Sequence, residues 1–279
     1  MRQKQEFGGK RLECSTLTSR PADECRLVSE NASSRALFKP DSTRALACVT
    51  ACPIYTPTRI VEIDDENIVV TVKDESTRLG LGSFKALGGV YAVAQLVLEQ
   101  ATADHGQRPE IDALLSDPVK SVAQSMSFVC ASAGNHGMAV AAGARLFGAA
   151  ARVHLSAEVP KSFAKRLEER GAAVCVSGAT YEESLVAANR DAIETGAYLL
   201  ADGSWPGYTD APSLVMEGYT VIASELYDTF SQLETCPSDV YLQAGVGGMA
   251  AAVGLMIRKH WPDQPRIVIV EPTAADCLA

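Results

Sequence analysis

From about residue 66 onward, short β-branched runs alternate with longer amphipathic runs, and this alternation constrains the chain more than any other feature. Parallel neighbours cannot be joined by a tight hairpin, so strands spaced by helix-length crossovers point to an α/β fold with a mainly parallel sheet. Strands are predicted at 68–73, 127–131, 152–155, 173–176, 198–200, 240–243 and 267–270. Helices are predicted between them at 83–99, 135–147, 160–170, 180–195 and 249–259. The 135–147 segment is almost all small and apolar, which suits burial on most sides. Pro160 stands at a permitted early position and Gly171 can supply a left-handed stop. Thr180 followed by Glu183 is a capping box. A polar insertion at 104–124 carries a short helix outside the sheet and tolerates changes of length.

With 279 residues, 47% of them hydrophobic, the chain is near the size at which one core divides into two. Residues 1–45 hold nine Lys/Arg against six Asp/Glu, so the remainder is more acidic than the whole at −9. The polar, Ser-rich first 40 residues read as a loose arm; their acids argue against a targeting peptide. No basic stripe interleaves with aromatics, which argues against a nucleic-acid partner and for a small-molecule one. No secretory apolar region and no run of about 18 apolar residues occurs, so the expectation is a soluble cytoplasmic protein without a membrane partner. Of the eight cysteines only Cys48 and Cys52 are close, without a second pair to complete a metal site. They read as reduced thiols, mostly in the core, and no metal is expected.

Chemistry concentrates at four places. Lys85 lies in Ser83-Phe84-Lys85-Ala86-Leu87-Gly88-Gly89, whose small and apolar neighbours suit a lysine that must spend time as a neutral amine. By itself it would be a solvated helix lysine; the other three segments overturn that. Ser132-Ala133-Gly134-Asn135-His136-Gly137 joins a strand to a helix and gathers a hydroxyl, an amide, an imidazole and several backbone amides at one helix start; a simple cap is the rival reading of Asn135 and His136. Gly245-Val246-Gly247-Gly248 precedes a helix and allows backbone amides to converge on a phosphate, with an ordinary tight turn as the rival. Its glycine order matches neither a dinucleotide fingerprint nor a nucleotide P-loop. Asp202 opens Asp202-Gly203-Ser204-Trp205-Pro206-Gly207-Tyr208, as a base or as the cap of its own turn.

In this order, the lysine run, the Ser-x-Gly-Asn-His-Gly loop and the glycine loop resemble the pyridoxal-phosphate enzymes of fold type II, the tryptophan-synthase β-subunit type. The Asp202–Tyr208 run, with Met216-Glu217-Gly218-Tyr219, Leu242-Gln243-Ala244 and Val270-Glu271-Pro272 with Ala275-Asp276-Cys277, resembles the diaminopropionate ammonia-lyases within that family. The resemblance covers the chain from about residue 38 onward. It implies two three-layer αβα domains: a large one from 41–117 and 207–279, and a small one at 118–206. It implies that pyridoxal 5'-phosphate is bound covalently by Lys85, with Phe84 by the ring and Asn135 on the phenolic oxygen. Gly245, Val246, Gly247, Gly248 and Met249 would cradle the phosphate, and Ser132, Ala133, Asn135 and His136 would surround an amino-acid carboxylate. Lys85 and Asp202 would be catalytic in α,β-elimination of ammonia from 2,3-diaminopropionate, giving pyruvate and ammonia, in a homodimer.

Two departures shape the rivals. Ala133 stands where those lyases carry Asp, as in serine and threonine dehydratases, so an L-isomer preference or a serine or threonine dehydratase is the alternative. The chain ends soon after the Glu-Pro strand, which leads to the expectation of a shortened product lacking the group that faces the pyridine nitrogen, and of an inert remnant as a further alternative.

Overall fold

The computed structural model describes residues 38–65, 68–273 and 277; most of the expected N-terminal arm, with Cys14, Cys25, Ala275 and Asp276, lies outside them. The helices and strands, in chain order, are α1 (Ser42–Thr50), β1 (Ile60–Asp65), β2 (Ile68–Lys73), α2 (Lys85–His105), α3 (Asp117–Gln124), β3 (Ser127–Cys130), α4 (Asn135–Phe147), β4 (Ala150–Leu155), α5 (Lys161–Glu169), β5 (Ala173–Val176), α6 (Tyr181–Thr195), β6 (Tyr198–Leu199), α7 (Asp210–Gln232), β7 (Asp239–Gln243), α8 (Gly248–His260) and β8 (Arg266–Val270). A kinked 3₁₀ segment at Glu75–Gly80 and a single 3₁₀ turn at Ile111–Ala113 interrupt the connections.

The largest sheet has the order β5-β4-β3-β6 and is parallel throughout, with Ser127 opposite Ala150, Arg152 opposite Ala173 and Phe128 opposite Tyr198. Phe128, Val129 and Cys130 of its inner strand are fully buried, which is why that strand is an unbroken apolar run rather than an alternating one. β7 and β8 form a second, two-stranded parallel sheet. Strand 68–73, expected to belong to the parallel pattern, instead pairs antiparallel with β1 as a separate hairpin, Ile60 opposite Lys73. Val69, Val70 and Val72 are exposed, so its β-branched composition reflects pairing geometry and not burial in a sheet interior.

Several local rules hold in detail. Pro160 precedes α5 and Gly171 takes φ +88° just beyond it. The Thr180 hydroxyl accepts from the Glu183 N–H, while the Glu183 carboxylate accepts from Ala179 rather than Thr180, a capping box shifted by one residue. α2 runs six residues beyond its expected end, to a left-handed Gly106. α1, β1 and α7 have no counterpart in the sequence reading. Of the six cysteines among the described residues, only Cys48 and Cys130 are buried, so "mostly core" does not hold for them; Cys48, Cys52, Cys130, Cys175 and Cys236 are free thiols. No helix among the described residues is long and apolar enough to cross a membrane.

The helices that carry the site are tied together by buried polar contacts. The Asp41 carboxylate caps α1 by accepting from the Arg44 N–H. Arg44 reaches Glu217 on α7 at 2.7 Å, and Tyr91 on α2 donates to the same carboxylate. Three helices therefore share one compensated buried charge, which is stable only while each partner is present.

Candidate active site

Lys85 is the first residue of α2, and its N–H donates to the Ser83 hydroxyl at 3.3 Å. The approach to it is unusual: Leu79 takes φ +47°, a left-handed conformation that costs a branched side chain free energy. Arg78, fully buried beside it, holds that turn with a two-pronged contact to Glu225 at 2.6 and 2.8 Å and another to Glu75 at 2.8 and 2.7 Å. Lys73 adds a second cation on Glu225 at 2.6 Å.

The Lys85 ammonium meets the Asp202 carboxylate at 2.5 Å, with side-chain exposures of 23% and 14%, and lies 5.7 Å from the Phe84 ring centre. Burial pushes the Asp202 carboxyl up, but His136 and the hydrogen-bonded Lys85 outweigh it and hold the carboxyl below its usual range. Burial also pushes His136 down, which favours its neutral ring, so its share in holding Asp202 low fades towards neutral pH and the hydrogen-bonded Lys85 is left as the nearest partner. The His136 Nε2–H donates to the Leu200 carbonyl at 2.8 Å. A carbonyl only accepts, so the neutral ring leaves Nδ1 as a bare acceptor; Nδ1 is buried without a partner. Asp202 also faces Cys130, whose thiol burial pushes up to about 12.

Asn135 and His136 open α4, but no side chain caps it; the capping rival for those two residues is not what the structure contains. Asn135 and Gly134 are exposed, and Ser132 and Ala133 partly so, leaving the first amides of α4 available at the edge of the cluster. The Asp202 carboxylate points at Lys85. Its loop is closed by Tyr208, whose hydroxyl donates to the Leu199 carbonyl and accepts from the Ala201 N–H, and whose ring stacks on Trp205 at 4.2 Å.

At the other end, Gly247 takes φ +78° as the cap residue of α8, again with no capping side chain. Only glycine adopts that conformation freely. Gly245 is open to space, Val246 is exposed, and Gly248 and the buried Met249 begin the helix, so its unpaired amides form an anion site. Tyr219 joins the two ends: its ring meets Phe84 edge-on at 5.3 Å, and a Cβ on Gly248 would lie 4.0 Å from its Cε2. Its hydroxyl, like His136 Nδ1, is buried without a partner. Sequence reasoning gave Tyr219 no role, because one tyrosine on an apolar helix face carries no signal.

The residues fit a phosphorylated, ring-bearing cofactor. A lysine lies beside an aromatic ring, two helix starts carry no capping side chain, and the buried His136 Nδ1 and Tyr219 hydroxyl have no partner within the protein. Among the described residues no cluster with metal-ligand character occurs.

Comparison with known proteins agrees. Residues 51–279 match the family described as pyridoxal-phosphate dependent enzyme. Diaminopropionate ammonia-lyase of Escherichia coli (strain K12) is 33% identical over 231 residues, which span 80% of this chain and 56% of that protein. A probable D-serine dehydratase of Sinorhizobium medicae is 31% identical over 218 residues, 75% of this chain and 47% of that one. The crystal structure of the Escherichia coli diaminopropionate ammonia lyase in complex with D-serine superposes with a TM-score of 0.74 at 30% identity, covering 87% of this chain and 63% of that one. The chain spans about half the length of the curated relatives it matches.

Proposed function

The chain belongs to the pyridoxal-phosphate-dependent enzyme family, with the α/β architecture of fold type II and pyridoxal 5'-phosphate as cofactor, and on that premise we propose that it eliminates ammonia from 2,3-diaminopropionate to give pyruvate and ammonia. The observation that carries the proposal is the 2.5 Å Lys85–Asp202 pair, set between two uncapped helix starts. When bound, the cofactor supplies an electron sink for a carbanion at the substrate α-carbon.

The protein's own groups do the rest. Lys85 would hold the cofactor covalently, with Phe84 and Tyr219 beside its ring and Asn135 at its phenolic oxygen. The amides of Gly245, Val246, Gly247, Gly248 and Met249 would take the phosphate. The start of α4, with Ser132, Ala133 and the neutral His136, receives the substrate carboxylate, favoured by the helix dipole. Asp202 stays ionised only while a cation touches it. Once the Lys85 amine is neutralised or engaged, burial dominates, the carboxyl pKa climbs, and Asp202 becomes able to take a proton. The Lys85 amine, 2.5 Å from Asp202, would be the second proton carrier.

The same reading takes 41–117 with 207–279 as the large domain and 118–206 as the small one; the four-stranded sheet, all of it between residues 127 and 199, supports this. It also takes the protein as a cytoplasmic homodimer. Free cysteines favour a reducing compartment, and exposed Val70, Tyr241, Ile269 and Val270 favour a covered surface. A serine dehydratase is the second reading, favoured by Ala133 and by the match to a probable D-serine dehydratase.

The test is pyruvate release by the cofactor-loaded protein from each enantiomer of diaminopropionate and of serine. The expected result is faster turnover of diaminopropionate, with the L isomer preferred because Asp202 is present and position 133 is alanine. All activity should vanish in Lys85→Ala. Faster turnover of serine would sink the lyase in favour of the dehydratase. Cofactor retention with no pyruvate from any substrate would leave only a binding protein.

A further inference from the structure

Tyr219 has a hydroxyl that the protein's own contacts do not account for. The residue is 2% exposed and its oxygen has no hydrogen-bond partner. A phenylalanine would fill the same space without burying an unsatisfied polar atom. The surrounding fold is shaped to seat this ring. A Cβ on Gly88 of α2 would lie 2.5 Å from its Cε1 and 2.7 Å from its Cζ, and a Cβ on Gly218 would lie 2.5 Å from the Leu87 carbonyl oxygen. α2 and α7 therefore approach backbone to backbone at the point where the ring enters. That approach places one edge of the ring against Phe84, next to Lys85, and another beside Gly248, the first residue of α8.

A phenol in that position is a donor at every working pH. Burial pushes its pKa well up, and the nearby Asp202 charge adds to the rise. On the α8 side its ring lies near Gly248, at a helix start with no capping side chain, whose amides favour an anion but offer only backbone donors. A side-chain donor to an ionised oxygen is stronger than a neutral pair and leaves no orphan.

We propose that Tyr219 is a cofactor-binding residue, whose hydroxyl donates a hydrogen bond to the phosphate of bound pyridoxal phosphate and completes the shell begun by the glycine-loop amides. This rests on the pyridoxal-phosphate reading of the site. The hydroxyl is then unsatisfied only in the apoprotein, and cofactor binding supplies its partner.

The experiment titrates wild-type and Tyr219→Phe apoproteins with pyridoxal phosphate and with pyridoxal, which lacks the phosphate. Borohydride trapping and peptide mapping follow, and the melting temperature of each apoprotein is measured. In Tyr219→Phe the dissociation constant for pyridoxal phosphate is expected to rise about tenfold or more, that for pyridoxal to stay unchanged, and the apoprotein to melt no lower than wild type. Equal retention of pyridoxal phosphate by the two proteins, with trapping on Lys85 in both, would overturn the role of Tyr219 while leaving the cofactor reading intact. Equal weakening of both ligands, or an apoprotein that melts lower, would show that the hydroxyl serves the ring or the fold and not the phosphate. No trapping on Lys85 in wild type would overturn the cofactor reading and this inference with it.

Discussion

The two walls of the site, the turn that delivers Lys85 and the loop that delivers Asp202, are built in opposite ways. The first is fixed by a buried ionic cluster in which Arg78 serves Glu75, Glu225 and Thr58 at once, Lys73 adds to Glu225, and Tyr55 donates to the same carboxylate. The second is held by a Trp205–Tyr208 backbone bridge, two hydrogen bonds to the Tyr208 phenol, one aromatic stack and the Lys85 contact itself, with no buried charge beyond that pair. A cluster of buried, mutually dependent charges can force a residue such as Leu79 into a left-handed turn, because every alternative strands a charge. A loop tied at its own base opens at lower free-energy cost. The turn that presents Lys85 is thus the more rigid one, and the Asp202 carboxylate that faces it lies on the wall that can adjust.

The largest expected effect comes from breaking the rigid wall. Arg78→Met leaves the buried Glu225 and the partly buried Glu75 with reduced compensation and should cost about 3–5 kcal/mol in urea unfolding. A loss below about 1 kcal/mol would show that the cluster does not hold the turn. Tyr208→Phe attacks the other wall by removing the partner of the Ala201 N–H and the Leu199 carbonyl, for about 1–3 kcal/mol. If Tyr208→Phe costs as much as Arg78→Met, the two walls are equally rigid and the contrast between them fails.

This contrast also separates what could be read in the sequence from what could not. Lys85, the Gly-Asn-His turn, the glycine loop and strands such as Ala173–Val176 were legible because each is local: the signal is a run of neighbours with one period or one turn chemistry. The Thr180 cap was legible for the same reason. Arg78 was not, because its meaning depends on Glu225, 147 residues away; in sequence it is one more charge in a polar stretch. Tyr219 becomes informative only when Gly88 and Gly248 are seen on either side of it. β1 was missed, and β2 misassigned, because strand composition does not specify a partner or its direction. α7 carries Pro212 and Gly218 near or inside it and extended no expected crossover, yet it supplies Glu217, Tyr219 and Glu225. The turns and helix starts were written locally, and the packing that brings them together was not.

The smallest effect is also the most specific, because it acts on the one ion pair that joins the walls. Asp202 is held below the usual carboxylate range in the folded protein. Its stabilising contribution is therefore present above the unfolded-state pKa, near about pH 4, and is lost as pH falls through the folded value. In the apoprotein, Lys85→Met removes the nearest cation, and burial then pushes the Asp202 carboxyl up instead. The variant should be less stable than wild type by about 1 kcal/mol at about pH 7, and this deficit should shrink towards zero at about pH 3, where Asp202 is protonated in the variant and increasingly so in the unfolded chain. Urea unfolding of both apoproteins at the two pH values measures it. A deficit independent of pH would mean that Lys85 contributes by packing its stem and not through Asp202, and the two walls would then have no electrostatic link.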